Sequence, residues 1–194
     1  MATNFKDKVI WITGASSGIG EALAVEFAKK GARLILSARR IDELNRVALL
    51  TKLPPLDLLI LPFDLKNTEN ATALVAQIIN KFGTIDCLIN NGGYSQRGEA
   101  INTSIKIDRE LMEVNYFAYV NLTKAVLPYM KNKKSGNIVV ISSIAGKFGF
   151  YLRSGYSASK HALHGFFESL RLETEKFGIK TLIVCPGKIK TNIS

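Results

Sequence analysis

A short apolar run, Val9 to Thr13, leads into a turn with three glycines in seven residues, Gly14, Gly18 and Gly20. The turn opens directly into a helical pattern: Ile19, Leu23 and Phe27 recur at helical spacing until Gly31, which stands where a helix C-cap glycine belongs. Strand, glycine-rich turn and helix in that order restrict a chain to few folds. Such glycines let the backbone bend sharply and come close to a pyrophosphate, which the first N–H groups of the helix can then hold. A tight connection with a capped helix would need the same glycines for a blander reason. The spacing G-x-x-x-G-x-G also departs from the commoner G-x-G-x-x-G.

The alternation continues along the chain. Arg33 to Ser37 is strand-like and Ile41 to Leu50 helical. Asp57 to Phe63 is a third apolar run, whose Pro62 suits an edge strand. Thr68 to Phe82 is helical up to Gly83, and Ile85 to Asn90 reads as a fourth strand. One long helix is expected from about Ile105 to Met130. Asn137 to Ser142 is a fifth strand, Tyr156 to Phe177 a helix closed by Gly178, and Lys180 to Cys185 a sixth strand. Apolar strands alternating with helices predict an α/β fold, a doubly wound parallel sheet (Rossmann fold) with helices on both faces. Neither a repeat nor a linker divides the sequence, so one domain is expected. Ligands of such sheets bind beyond the carboxyl ends of the strands, and there the chemistry should lie.

Composition narrows the function classes. The net charge of +10 is compatible with nucleic acid, a membrane surface or an anionic cofactor. The basic residues are scattered, and the densest run, Lys131 to Lys134, reads as a solvated helix end. An RNA-binding role would need a recognisable module or an aromatic stacking pattern, and neither is seen. Cys87 and Cys185 lie in apolar runs and read as buried thiols rather than a disulfide framework. The absence of a membrane-length apolar stretch favours a cytoplasmic location. His161 and His164 lack the further ligands a metal site would need and read as ordinary helix residues.

At the end of the second run stand Ala38, Arg39 and Arg40. NAD sites place a carboxylate there for the ribose 2′-hydroxyl, whereas two arginines suit the 2′-phosphate of NADP. Asp64, after the third run, can face an adenine or cap a turn. Tyr156 and Lys160 are four apart on one helix and so share a face. A free tyrosine titrates at about 10, and a neighbouring ammonium would favour the phenolate. Ser143 follows the fifth run and can hydrogen-bond a substrate oxygen in the same crevice. Asn115 is a polar side chain in mid-helix, which a kinked backbone holding a water near Lys160 would explain.

Thr13 to Gly20, Asn90 to Gly93, Asn115, Ser143, Tyr156 with Lys160, and Pro186-Gly187 occur in the order found in the short-chain dehydrogenase/reductase family, which this chain resembles along essentially its whole length. The resemblance implies Tyr156 as general acid/base, Lys160 as its electrostatic partner and ribose ligand, Ser143 as donor to the substrate oxygen, and Asn115 as anchor of a proton-relay water. Together with the strand-end reading, it implies a cofactor site of Gly14, Ser16, Ser17, Gly18, Ile19, Gly20, Arg39, Arg40, Asp64, Leu65, Asn91, Gly92, Tyr156, Lys160, Pro186, Gly187, Ile189 and Thr191. The expected cofactor is NADP(H) in preference to NAD(H), without a metal. The expected substrate is a carbonyl or secondary alcohol, apolar and steroid-, retinoid- or ketone-like. Homodimers or homotetramers built partly from the two long helices are also implied.

Two departures stand out. Gly92 occupies a position where the family usually has alanine. The chain also stops at Ser194, where members continue through a substrate-covering segment and a final strand. Residues 1–194 are therefore expected to form one dinucleotide-binding and catalytic domain without that lid and strand, the remainder of a longer molecule going unobserved. The rival reading is a nucleotide-binding scaffold or sensor of the same fold without turnover.

Overall fold

The computed structural model describes residues 4–189. Six parallel strands form one sheet in the order β3-β2-β1-β4-β5-β6. The strands are β1 (Val9–Thr13), β2 (Arg33–Ser37), β3 (Leu58–Ile60), β4 (Cys87–Asn90), β5 (Gly136–Ile141) and β6 (Ile179–Val184). The helices are α1 (Gly18–Lys29), α2 (Ile41–Thr51), α3 (Ala71–Phe82), α4 (Ile105–Met112), α5 (Ala118–Lys133) and α6 (Ser154–Thr174).

Alternate side chains of each strand feed two separate cores. Trp11, Ile35, Leu88, Ile138 and Val140 pack with Val75, Ile78, Leu122, Val126, Leu163 and Phe167 of α3, α5 and α6. Ile10, Ile12, Leu34, Leu36 and Ile89 pack on the opposite face with Ala24, Ala28, Leu44 and Val47 of α1 and α2. Burial on both faces is why the strands read as unbroken apolar runs. The one polar group of the Trp11 side chain is satisfied by Ser37 Oγ at 2.9 Å.

Strand order reverses between β1 and β4, the place where doubly wound sheets open a crevice. Thr13 holds its two sides together: its Oγ1 accepts from the Asn91 and Gly92 N–H groups at 3.0 and 3.2 Å. The Asn91 side-chain amide in turn donates to the carbonyls of Thr13 and Gly14.

The structure corrects the sequence reading in three places. β3 is only Leu58–Ile60, because Pro55–Asp57 form a 3₁₀ turn, although the chain tracks β2 further through Leu61 N–H to Leu36 O. The expected long helix is interrupted by one turn of π-helix, Glu113–Phe117, between α4 and α5. Both cysteines are free, and each is half-buried rather than fully enclosed. Burial nevertheless pushes the Cys87 thiol up to about 12.

β6 is the far edge of the sheet. Its face opposite α6 joins Cys87, Ile89, Val139 and Ile141 in an apolar groove of about 830 Å³ running toward Leu23 and Phe27 of α1. Among the described residues no helix is long and apolar enough to cross a membrane.

Candidate active site

A cleft of about 640 Å³ lies over the carboxyl ends of β1, β2, β3 and β4. Gly14, Ser16, Ser17, Gly18 and Ile19 form one wall, Ala38, Arg39 and Arg40 one end, and Asp64, Leu65, Asn91 and Gly92 the other sides. Two glycines are required by geometry here. Gly14 has φ +62°, and any side chain on it would strike the Gly92 backbone. A Cβ on Gly92 would meet Leu65 Cδ1 at 2.6 Å and Gly14 N at 3.0 Å, so Leu65 fills the space an alanine would take. Gly20 lies beneath the loop rather than on the cleft surface.

The cleft fits a dinucleotide by its own chemistry. Ser17 stands at the N-cap of α1 but makes no side-chain cap bond, which leaves the first N–H groups of that helix available to an anion. Arg39 and Arg40 are exposed at the cleft end, with Ala38 where a carboxylate would otherwise stand. Asp64 Oδ1 accepts from Lys66 N at 3.0 Å, so this residue caps its turn as well as lining the cleft.

The catalytic candidates gather beside β4 and β5. Lys160 is buried, 3% exposed, and its Nζ donates to Ile141 O at 2.9 Å. Burial pulls its ammonium down to about 8. Tyr156 stands one turn earlier, its ring centroid 5.8 Å from Lys160 Nζ. Burial raises the Tyr156 phenol above its ordinary value, while the Ser143 hydroxyl and the Arg153 charge pull it partly back. The net effect of the chain's own groups is thus a phenol above its ordinary value, not the lowered one that Lys160 together with a bound nicotinamide was expected to give. Ser143 Oγ accepts from Ala145 N at 3.1 Å at the head of a 3₁₀ turn, which leaves its proton for another acceptor.

Asn115 sits in the π turn, fully buried. Its Oδ1 accepts from Tyr94 N at 3.1 Å, and its Nδ2 donates to Tyr94 O and to Ser159 Oγ, both at 3.0 Å. A Cβ on Gly93 would fall 2.8 Å from Asn115 Oδ1 and 3.9 Å from Lys160 Nζ, so both groups face one small space. The wide turn answers the question the mid-helix asparagine posed. π turns are inserted where a side chain must be presented out of α register.

Other expected residues lie elsewhere. Pro186 O accepts from Ile144 N at 3.1 Å, which places this segment beside the Ser143 turn. Pro186 and Ile189 line the apolar groove, Gly187 lines neither cavity, and Thr191 lies outside the described residues.

Sequence reasoning missed several groups. Lys66 and Glu110 line the cleft and pair at 2.9 Å, with Tyr94 and Val114 beside them. Glu110 and Val114 are four apart, a facing signal that was available from spacing. Arg153 donates to Ser95 Oγ and to Gln96 O, which fastens the loop after β4 to the start of α6. Nothing in the local sequence marks that partnership.

Comparison with known proteins agrees with this geometry. The family model described as short chain dehydrogenase matches residues 8–194. The chain is 47% identical over 192 residues to human dehydrogenase/reductase SDR family member 7, covering 96% of this chain and 57% of that protein. It is 48% identical over 198 residues to an SDR family protein 7-like from Anopheles gambiae, covering 100% of this chain and 62% of the relative. Among solved structures, a short-chain dehydrogenase from Streptomyces avermitilis superposes with TM-score 0.90 at 37% identity, covering 100% of this chain and 69% of that one. A short chain dehydrogenase/reductase from Burkholderia phymatum, solved in complex with NAD, gives TM-score 0.92 at 27% identity, covering 98% and 69%.

The chain belongs to the short-chain dehydrogenase/reductase family. It spans about three fifths of the length of these two curated relatives.

Proposed function

We propose that the protein is an oxidoreductase that transfers hydride between NADP(H) and the carbonyl or secondary alcohol carbon of an apolar substrate. The observation that carries this reading is the convergence of Ser143, Tyr156, Lys160 and Asn115 beside a cleft whose shape and donors suit a dinucleotide. A nicotinamide cofactor supplies the hydride acceptor or donor when bound. Gly14 to Ile19 would hold its pyrophosphate, and Arg39 and Arg40 its 2′-phosphate. Asp64, Leu65, Asn91 and Gly92 would flank the adenosine half, while Tyr156, Lys160 and the Pro186 segment would hold the nicotinamide half.

In the reduction direction Tyr156 is the proton donor to the substrate oxygen. Burial holds the phenol above its ordinary value and so makes it a weaker acid, and proton donation therefore relies on the Ser143 hydroxyl and nearby positive charge to stabilise the phenolate that forms. The Ser143 hydroxyl donates to the same oxygen and stabilises the charge that develops on it. Lys160, fixed by Ile141 O, holds a positive charge beside the tyrosine ring. Asn115 holds the loop at Tyr94 against α6 and faces the space through which a water can relay the proton.

The apolar substrate reading rests on Phe148, Phe150 and Tyr151, exposed aromatic side chains that follow Ser143 in the sequence. We further propose that residues 1–194 act as one cofactor-binding and catalytic domain, and that the protein works as a homo-oligomer. The test is NADPH oxidation by the full-length protein against a panel of ketones, aldehydes and quinones. Turnover of apolar ketones is expected, and nucleotide binding without turnover of any carbonyl would favour a scaffold or sensor.

A further inference from the structure

His164 stands one helical turn beyond Lys160, and three segments that carry proposed catalytic or cofactor groups meet at its imidazole. Its Nε2 lies 3.2 Å from Ser142 Oγ, on the residue next to Ser143. The same nitrogen lies 3.7 Å from Cys185 Sγ, on the residue before Pro186. On the other side of the ring, Nδ1 lies 3.3 Å from Glu168 Oε1. The imidazole is 9% exposed and Ser142 4%, so the bond between them is shielded from solvent. Gly146 permits the close approach: a Cβ there would fall 2.6 Å from Ser142 Oγ, 2.9 Å from Lys160 O and 3.1 Å from His164 Nε2.

Partner chemistry sets the ring's orientation. A carboxylate only accepts, so Glu168 places the proton on Nδ1, and the Nε2 lone pair then faces the Ser142 hydroxyl and the Cys185 thiol. The one proton of the Ser142 hydroxyl can instead go to Lys160 O at 3.4 Å, so Nε2 and the lysine's own backbone are alternative acceptors for it. The carboxylate is half-exposed and 3.8 Å from Lys147 Nζ, so the chain runs from the surface to the rear of the site.

We propose that His164 is a positioning residue, oriented by Glu168, that ties the ends of β5 and β6 to α6 so that Ser143, the Pro186 segment and the Tyr156–Lys160 pair keep one relative geometry. The proposal rests on the oxidoreductase reading above. Small misplacements of reacting groups are costly while binding at a distant part of the cleft is indifferent to them. kcat should therefore fall where cofactor affinity does not.

The experiment compares Glu168→Ala, His164→Leu and His164→Gln in the full-length protein. It measures kcat, NADPH Kd and melting temperature for each. Glu168→Ala changes a half-exposed side chain and should keep the melting temperature, yet lower kcat roughly three- to fivefold. His164→Leu should lower kcat about tenfold or more with NADPH Kd within about twofold of wild type. His164→Gln, which can still reach Ser142, should recover most of that loss. Wild-type kcat in Glu168→Ala overturns the proposal. So do equal losses in the two His164 variants that track melting temperature alone, which would make the ring mere packing. A wild-type protein that turns over no carbonyl at all would instead defeat the oxidoreductase reading.

Discussion

The Nζ of Lys160 donates a 2.9 Å hydrogen bond to the carbonyl of Ile141, the last residue of β5. One bond thus connects the helix that carries Tyr156 to the strand that delivers Ser143. The ammonium is held where water cannot reach it, and burial draws it from 10.5 down to about 8. Between about 8 and 10.5 the unfolded chain binds more protons here than the folded one, so this group's contribution to stability rises with pH across that window. Below about 8 the full cost of burying the charge is present. Lys160→Met should therefore stabilise the fold near neutral pH by on the order of 2 kcal/mol, with the gain shrinking toward pH 10.5. Thermal denaturation at two pH values checks this, and a Met variant less stable than wild type at neutral pH would refute it. Turnover should be lost in either case.

Arg153 is one of two groups that pull the Tyr156 phenol down against burial. Its removal in Arg153→Gln should raise the tyrosine further. In alcohol oxidation, which needs the phenolate, the rise of kcat/KM with pH should then move to higher pH. Arg153→Lys should restore much of the wild-type position. The same bonds fasten the loop at Ser95 and Gln96, so KM for the carbonyl substrate should also rise in the Gln variant. An unmoved pH profile would remove Arg153 from the electrostatics of the site.

Cofactor choice follows from the end of β2. With Ala38 in the acidic position and Arg39 and Arg40 exposed on the cleft, NADPH should bind more tightly than NADH. Added salt should narrow the difference, because exposed phosphate contacts are screened. Arg39→Ala should narrow it too, chiefly by weakening NADPH. Fluorescence titration of both cofactors at two salt concentrations measures this, and equal affinities in the wild-type protein would contradict it.

Much of this architecture was legible because the central strands β1 and β2 are buried on both faces. Val9–Thr13 and Arg33–Ser37 are strands over the same residues that their apolar runs marked. Gly31, Gly83 and Gly178, read as helix ends, all adopt the left-handed backbone that favours glycine. Where long-range partners decide the structure, the sequence was silent. The π turn at Asn115 adds one residue per turn to a pattern whose apolar period barely changes. It is stabilised from outside its own helix, by Tyr94 and Ser159. Arg153 finds Ser95 across 58 residues of chain, and Lys66 finds Glu110 across 44. His164, read as an ordinary helix residue, became a junction only once the ends of β5 and β6 were brought beside it.

The phenol of Tyr156 is the group on which turnover depends most directly. Tyr156→Phe keeps the ring and its packing on α6, and removes the phenolic hydroxyl with its exchangeable proton. Initial rates of NADPH oxidation with an accepted ketone should be compared for the wild-type and Phe forms of the full-length protein at saturating cofactor. We predict that kcat falls at least about a hundredfold, the loss expected when a general acid is removed, while NADPH affinity is retained. A Phe variant that turns over at a rate near wild type would show that another group delivers the proton and that the site has been misassigned.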